Sequence, residues 1–318
     1  MAEKVKQSKS ARARFKAFFP ILIWSVVAVW CVVFLFMVAW GLMTTFKSAG
    51  GFSINSYGIP GWVVHEELIT DEGYTVIKDT VMWEFNNYGI ALQNLWVNSK
   101  GRTIYFGEMF AYTLYYCVVY GFLAVAGPML CSYIYAKYNK RVPWVKSVWV
   151  LVLVTMYVPL SASLAASLKL AMQLNIYNNL FLFVFACFGG FGGDFLIYYA
   201  IWKGLSWEYA EAAFMDGASH WTVLTRIMFP MTLTVFWVLF ITKVITYWVD
   251  YTTPMIYLPS FPTIAYGVFN LQTNGSKREI SEPVRLASLY AMAVPMFILF
   301  IAFREKMMGS LTMGGLKG

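Results

Sequence analysis

The sequence predicts an all-α integral membrane protein with six transmembrane helices, and three observations carry that prediction. Hydrophobic residues fill 59% of the 318 positions and charged residues 13%, well away from the roughly 45–50% and about 25% of soluble chains. Runs with few or no charges recur at lengths near the ~20 residues that a helix needs to cross the hydrocarbon core. Lysine and arginine gather in alternate connections, as the inside bias of short loops requires.

Residues 1–19 hold Lys4, Lys6, Lys9, Arg12, Arg14 and Lys16 against Glu3 alone, so this basic segment is expected in the cytoplasm. The first span, 20–44, follows it. A basic start before an apolar run also marks a signal peptide. This run is longer than the usual ~7–15 residues and no small-x-small cleavage site follows it cleanly, which favours an uncleaved anchor. Residues 45–109 then form an extracytoplasmic loop or small subdomain. Glu66, Glu67, Asp71, Glu72, Asp79, Glu84 and Glu108 there outnumber Lys47, Lys78, Lys100 and Arg102. Trp62, Tyr74, Val76, Ile77, Trp83 and Phe85 give the segment something to bury, so an ordered piece is expected over a mere connector.

Residues 110–304 read as a core of five further spans: 110–136, 147–168, 180–202, 231–253 and 286–303. The third contains Pro159 and the sixth Pro295, which membrane helices tolerate better than soluble ones. The fourth carries Asp194, and the fifth Lys243 and Asp250. Lys137, Lys140, Arg141 and Lys146 follow the second span without an acid, which places that turn inside. Six crossings return the tail, 305–318, to the cytoplasm, together with the loop 203–230. The net charge of +8 is this inside bias; a nucleic-acid role needs a clustered basic face, which is absent.

The residue inventory leaves little room for covalent chemistry. Cys31, Cys117, Cys131 and Cys187 fall singly inside spans, with neither a paired framework nor metal-ligand spacing. The two histidines, His65 and His220, are too few for a clustered metal site and read as surface residues. No Gly-x-x-x-x-Gly-Lys-Ser/Thr loop exists to cradle phosphates. Any uphill work by this chain therefore draws its energy from elsewhere, and no cofactor is expected in it.

That deficit gives weight to the loop 203–230. Ser206 is a plausible N-cap for a short helix starting at Trp207, with Glu208 in the first turn at the positive end of the dipole. Ala210, Ala212 and Ala213 favour helix and keep its surface shallow, Glu211 sets a charge at its middle, and Gly217 stands where a left-handed cap ends a helix. A second helical stretch is expected from near Ser219 to Pro230, before the fifth span. Such a helix reads either as a dock for a partner's groove or as an ordinary amphipathic connector at the membrane surface.

The pattern Glu211-Ala212-Ala213, then Gly217, then Ile227-Met228-Phe229-Pro230 resembles the cytoplasmic loop signature of binding-protein-dependent ABC importer permeases, with Phe229 where that signature has leucine. The string from Ala212 through Asp216 and Gly217 to Ser219 is similar to the carbohydrate-uptake, maltose-type branch. Trp248-Val249-Asp250-Tyr251-Thr252-Thr253-Pro254 and the tail Leu311-Thr312-Met313-Gly314-Gly315-Leu316-Lys317-Gly318 are similar to that branch as well. The resemblance covers roughly residues 85–318. It implies a type I importer-like fold with a cytoplasmic coupling helix, in a bacterial cell membrane. It also implies a second permease subunit, two cytoplasmic ATPases that hold ATP and magnesium, and an external solute-binding protein that delivers a sugar. Carried over by position, Glu211, Ala212, Ala213, Asp216 and Gly217 would meet an ATPase cleft. Gly314, Gly315 and Lys317 would lie in the tail that reaches toward the ATPase pair. The outer segment 45–109 is long for the branch and would contact the binding protein. A permease for a peptide or amino acid, or a membrane scaffold or sensor, remains the alternative.

Charges within a membrane are expensive and mark function by default. Asp194 and Lys243 sit at depths that differ by roughly 8 Å at 1.5 Å per residue, so they either pair or face a water-filled pathway. The Gly189-Gly190-Phe191-Gly192-Gly193 run beside Asp194 would allow close helix approach or act as a hinge. Tyr247, Trp248, Asp250 and Tyr251 offer aromatic faces and an acceptor for sugar hydroxyls. The same aromatics also suit the interfacial belt of any membrane protein.

Overall fold

The computed structural model describes residues 2–59, 64–69, 75–80, 83–138, 146–157, 164–188, 192–274 and 280–313. The chain divides into two compact units, one of residues 1–92 with 275–290 and one of residues 93–274 with 291–318.

In the first unit, helix α1 (Ala2–Thr44) contains the apolar span Pro20–Thr44. Side chains 20–39 are all exposed, which in an aliphatic and aromatic stretch means a surface made for lipid or for another protein. The chain leaves this helix through a polar knot. Lys47, 4% exposed, donates from Nζ to the carbonyls of Asn55 and Ser56 at 2.9 Å each. The amide of Asn87 donates to the carbonyls of Thr45 and Lys47, both at 2.8 Å. Burial pulls the Lys47 ammonium below its ordinary value of 10.5, because desolvation disfavours the charged form. Helix α2 (Ala49–Ile54) starts within this knot, with the Ser48 hydroxyl accepting from the Gly51 N–H.

The outer segment corrects the all-α expectation. Strands β1 (Val64–Ile69) and β2 (Thr75–Thr80) pair antiparallel from Val64 opposite Thr80 to Ile69 opposite Thr75, and the valine, isoleucine and threonine in them are residue types enriched in strands. Helix α3 (Asn87–Gln93) follows. A second hairpin joins β3 (Trp96–Ser99) to β4 (Arg102–Tyr105). Its turn, Lys100-Gly101, has positive φ at both residues (50° and 80°), the two-residue geometry whose twist matches paired strands.

The second unit holds the helical core. Helix α4 (Phe106–Tyr115), a π-helical turn at Tyr116–Tyr120 and α5 (Gly121–Tyr138) form one continuous span, Phe106–Tyr138. The expected third span appears as α6 (Lys146–Tyr157) and α7 (Leu164–Gln173), with Pro159 outside the described residues. The expected fourth span is two pieces, α8 (Val184–Cys187) and α9 (Gly193–Gly204). Phe188 (ψ 90°) and Gly192 (φ −174°, ψ −160°) are extended between them. Glycine flanking Asp194 removes the side chains that would hold a helix together there. Helix α10 (Glu208–Met215) fills the loop that follows.

Helix α11 (His220–Thr222), a second π turn (Val223–Met228) and α12 (Phe229–Val249) run on without a break. The expected separation at Pro230 is thus absent. A proline in a helix lacks a donor and crowds the turn before it, and the wider π turn just ahead accommodates that. Helices α13 (Thr252–Tyr257), α14 (Ile264–Asn274) and α15 (Glu282–Met313) complete the chain. Among the described residues four helices are long and apolar enough to cross a membrane: Pro20–Thr44, Phe106–Tyr138, His220–Val249 and Glu282–Glu305. The tail residues Gly314, Gly315 and Lys317, and Gly189 to Phe191, lie outside the described residues.

Candidate functional site

A cavity of about 450 Å3 opens within the second unit, in the size range of small-molecule sites. Five elements bring its charged and aromatic groups together. The first π turn delivers Tyr116 and α5 adds Ala124 and Pro128; α8 with the start of α9 brings Cys187, Gly192, Gly193 and Asp194; α12 presents Lys243 and Tyr247. Tyr116 and Tyr120, four apart and so on one helix face, are both buried. Their rings meet edge to face at 4.9 Å, and the Tyr116 ring lies 5.0 Å from that of Tyr247.

Lys243 Nζ lies 2.7 Å from Asp194 Oδ2 and both groups border the cavity, each side chain between a quarter and a third exposed. Of the alternatives posed from the sequence, the structure shows the pair, at the edge of a cavity. Asp250 sits one hydrogen bond behind the wall. Its Oδ2 accepts from the Tyr116 hydroxyl at 2.9 Å and its Oδ1 from the Thr253 N–H at 3.0 Å, and both donors are lining residues. The site thus carries one internal ion pair, one further carboxylate, hydroxyls, and the flat faces of Tyr247, Phe183 and Phe195. Such a surface binds a polar, partly flat solute through hydroxyl hydrogen bonds and ring contacts. No group of three or more His, Cys, Asp or Glu that could hold a metal ion is found among the described residues.

The loop helix has the other concentration of predicted residues. The Ser206 hydroxyl accepts from the Glu208 N–H at 3.2 Å, but the helix starts at Glu208, one residue later than expected, so Trp207 takes the N-cap position and makes no side-chain cap bond. Ala210 is fully buried, whereas Glu211, Ala212, Met215, Asp216 and Gly217 are exposed, Met215 at 89%. Gly217 closes the helix at φ +80°, and the Ala218 N–H reaches back to the Ala213 carbonyl at 2.9 Å, satisfying an end carbonyl as a left-handed cap does. The loop is tied to the end of α5 at two points. Lys137 Nζ donates to the Leu205 carbonyl at 2.6 Å, and the Tyr138 hydroxyl meets His220 Nδ1 at 2.8 Å. Phe229, the departure from the loop signature, packs into the same cluster as Ala213, Phe214 and Trp202, edge to face with Phe236 at 5.5 Å.

No protein-family model matches this chain. It is 24% identical over 268 residues, 76% of this chain and 77% of the other, to a probable ABC transporter permease protein of Mycoplasma pneumoniae. It is 29% identical over 180 residues, 54% of this chain and 60% of the other, to the arabinooligosaccharides transport system permease protein AraQ of Bacillus subtilis. The diacetylchitobiose uptake system permease protein NgcG of Streptomyces coelicolor matches at 20% over 289 residues, 90% of this chain and 85% of that one. Its relatives are ABC transporter permeases. A solved structure of a bacterial ABC transporter involved in import of the acidic polysaccharide alginate superposes with a TM-score of 0.66. It covers 91% of this chain and 96% of that one at 16% identity, a likeness of fold.

Two predicted pathway residues stand apart from the cavity lining. Trp248, 4% exposed, donates from Nε1 to the Met292 carbonyl at 3.0 Å and meets Phe110 edge to face. Tyr251 stacks on Phe269 at 4.3 Å. Sequence reasoning passed over Tyr116, Thr253 and Cys187, which border the cavity. Tyr116 lies in a membrane-length run of apolar and aromatic residues, and only the π turn singles it out. Thr253 carried a signal, since it stands three residues after Asp250, the spacing at which a carboxylate accepts from a following N–H.

Proposed function

We propose that this chain is the transmembrane permease subunit of an ATP-driven importer for a carbohydrate, moving solute by alternating access. The observation that carries the reading is the α10 helix. An importer signature occupies a short, capped, outward-facing helix whose Glu211, Ala212 and Asp216 are exposed and so free to sit in a partner's cleft. Sugar uptake as the class is supported by the arabinooligosaccharide and diacetylchitobiose permeases among the relatives.

The assembly in this reading has a second permease subunit, two cytoplasmic ATPases that bind ATP and magnesium, and an external binding protein docked on the outer segment. All six spans cross the bacterial cell membrane with both ends inside, and the tail with Gly314, Gly315 and Lys317 extends toward the ATPases. Closure of the ATPases displaces α10. Two links lead from there to the cavity: the unbroken helix from His220 to Val249, which carries Lys243 and Tyr247, and the ties from Lys137 and Tyr138 to the end of α5. Asp194, Lys243, Tyr247 and Asp250 then border the solute path, whereas Trp248 and Tyr251 hold its outer end in shape.

Glu211→Lys tests the reading. Its side chain is exposed, so the protein should assemble in the membrane as before while ATP-driven sugar uptake falls by about tenfold or more, as for a lost interfacial charge contact. Unchanged uptake, or a purified complex that brings no ATPase with it, points instead to a scaffold.

A further inference from the structure

The cavity's charges do not balance. Asp194 and Lys243 neutralise each other at 2.7 Å. Asp250 lies directly behind the wall, held by Tyr116 and Thr253, and no lysine or arginine pairs with it among the described residues. Both of its oxygens accept hydrogen bonds from neutral donors, and neither donor brings a positive charge to offset the carboxylate. The remaining lining is neutral, made of aromatic rings, Pro128, Cys187, Thr253 and the small residues alanine and glycine. Counted over these groups, the site carries one uncompensated negative charge in surroundings poorer in water than bulk, where a charge acts further and more strongly.

We propose that the cavity is a charge filter that admits neutral and cationic solutes and rejects anions, with Asp250 as the residue that sets the sign. The proposal rests on the cavity being the solute path and narrows the cargo to sugars without carboxylate, sulfate or phosphate groups. The Asp194–Lys243 pair takes a different part. It offers hydroxyl-binding donors and acceptors without adding net charge, so it recognises a sugar without selecting a sign. An acidic sugar would meet Asp250 with no free cation to receive it, because Lys243 is already engaged. The alginate transporter that shares this fold is involved in importing an acidic polysaccharide, so the fold leaves the sign of the cargo open and the lining side chains decide it.

Cys187, itself a lining residue, serves as a native reporter. The assembled transporter is treated with a trimethylammonium-bearing or a sulfonate-bearing methanethiosulfonate, with and without ATP, and labelling at Cys187 is quantified by peptide mass spectrometry. Each rate is divided by that of a small free thiol; the thiolate fraction then cancels between reagents. The cation should win by about tenfold or more at low salt, and the preference should shrink as salt screens the field. Asp250→Asn should bring the ratio to within about twofold of one, and Asp194→Asn, which frees Lys243, should move it toward the anion. A ratio near one in the wild-type chain, a cation preference that survives Asp250→Asn, or a Cys187 that neither reagent reaches overturns the filter. If the Asn variant does not assemble, the wild-type ratio and its salt dependence decide. The ratio is read without any sugar. A transporter that proves to carry another solute therefore fails the preceding reading and leaves this test standing, while a proven sugar importer with a ratio near one fails only the filter.

Discussion

Asp194 and Lys243 show how a pair of costly residues becomes informative once its geometry is fixed. Removing one partner leaves the other charge half buried, which costs about 2 kcal/mol, less than the roughly 3–5 of a fully buried pair because both side chains retain some solvent. Asp194→Asn and Lys243→Gln should each lower uptake and thermal stability, and the double change should recover most of the stability. A double variant as unstable as the sum of the singles would mean that the two residues act separately. Lys47 makes a different case, outside the spans. Its folded-state pKa lies below the ordinary 10.5, so the folded protein carries a desolvation penalty wherever the ammonium is charged in both states. That penalty is present in full below the lowered pKa and fades as pH rises from there toward 10.5. Lys47→Met removes the penalty but strands the carbonyls of Asn55 and Ser56, each at about 1–3 kcal/mol. The variant should therefore be less stable than the wild type at neutral pH, with the gap widening on the alkaline side, read from melting temperatures across that range. A gap that narrows with rising pH contradicts the sign argued here.

At the scale of elements, the loop between the broken fourth span and α12 was the most legible part of the chain. The alanines and Gly217 specify a short helix with a left-handed end by local rules alone, and α10 follows them, although it starts one residue after the position that Ser206 would cap. Gly217 is the position where a side chain is least welcome, since its φ of +80° costs a β-carbon roughly 1 kcal/mol or more. Gly217→Ala should loosen the end of α10 and weaken coupling between ATP hydrolysis and transport while leaving ATP hydrolysis itself in place. Uptake per ATP measured in liposomes checks it, and an unchanged ratio argues that the cap is not part of the transmission. Two element boundaries escaped the sequence. Pro230 looked like a stop, and only the neighbouring π turn shows how the helix absorbs it. The fourth span counted as long enough to cross, but hydropathy is blind to a break at Phe188 and Gly192 that leaves the apolar content unchanged.

For the whole molecule, the outer segment is the part on which sequence and structure differ most. Aromatic content argued for order, and the segment contains two hairpins in place of pure helix. If it docks a binding protein, deleting residues 58–80 should abolish binding-protein-dependent uptake while the rest of the chain still reaches the membrane; unchanged uptake removes the docking role. What the sequence determined by itself was the medium and the α10 helix, because these follow from composition and from local helix and cap preferences, each readable within a few residues. The first, second, fifth and sixth spans belong with them, since a long apolar run has few other solutions. Only the tertiary structure decided which costly residues meet. Asp194 and Lys243 are 49 positions apart, and Tyr116 and Asp250 are 134 apart, so no local pattern links them. Their pairing depends on how separate helices pack and which way each is turned about its axis, and rotation about a helix axis leaves no mark on hydropathy.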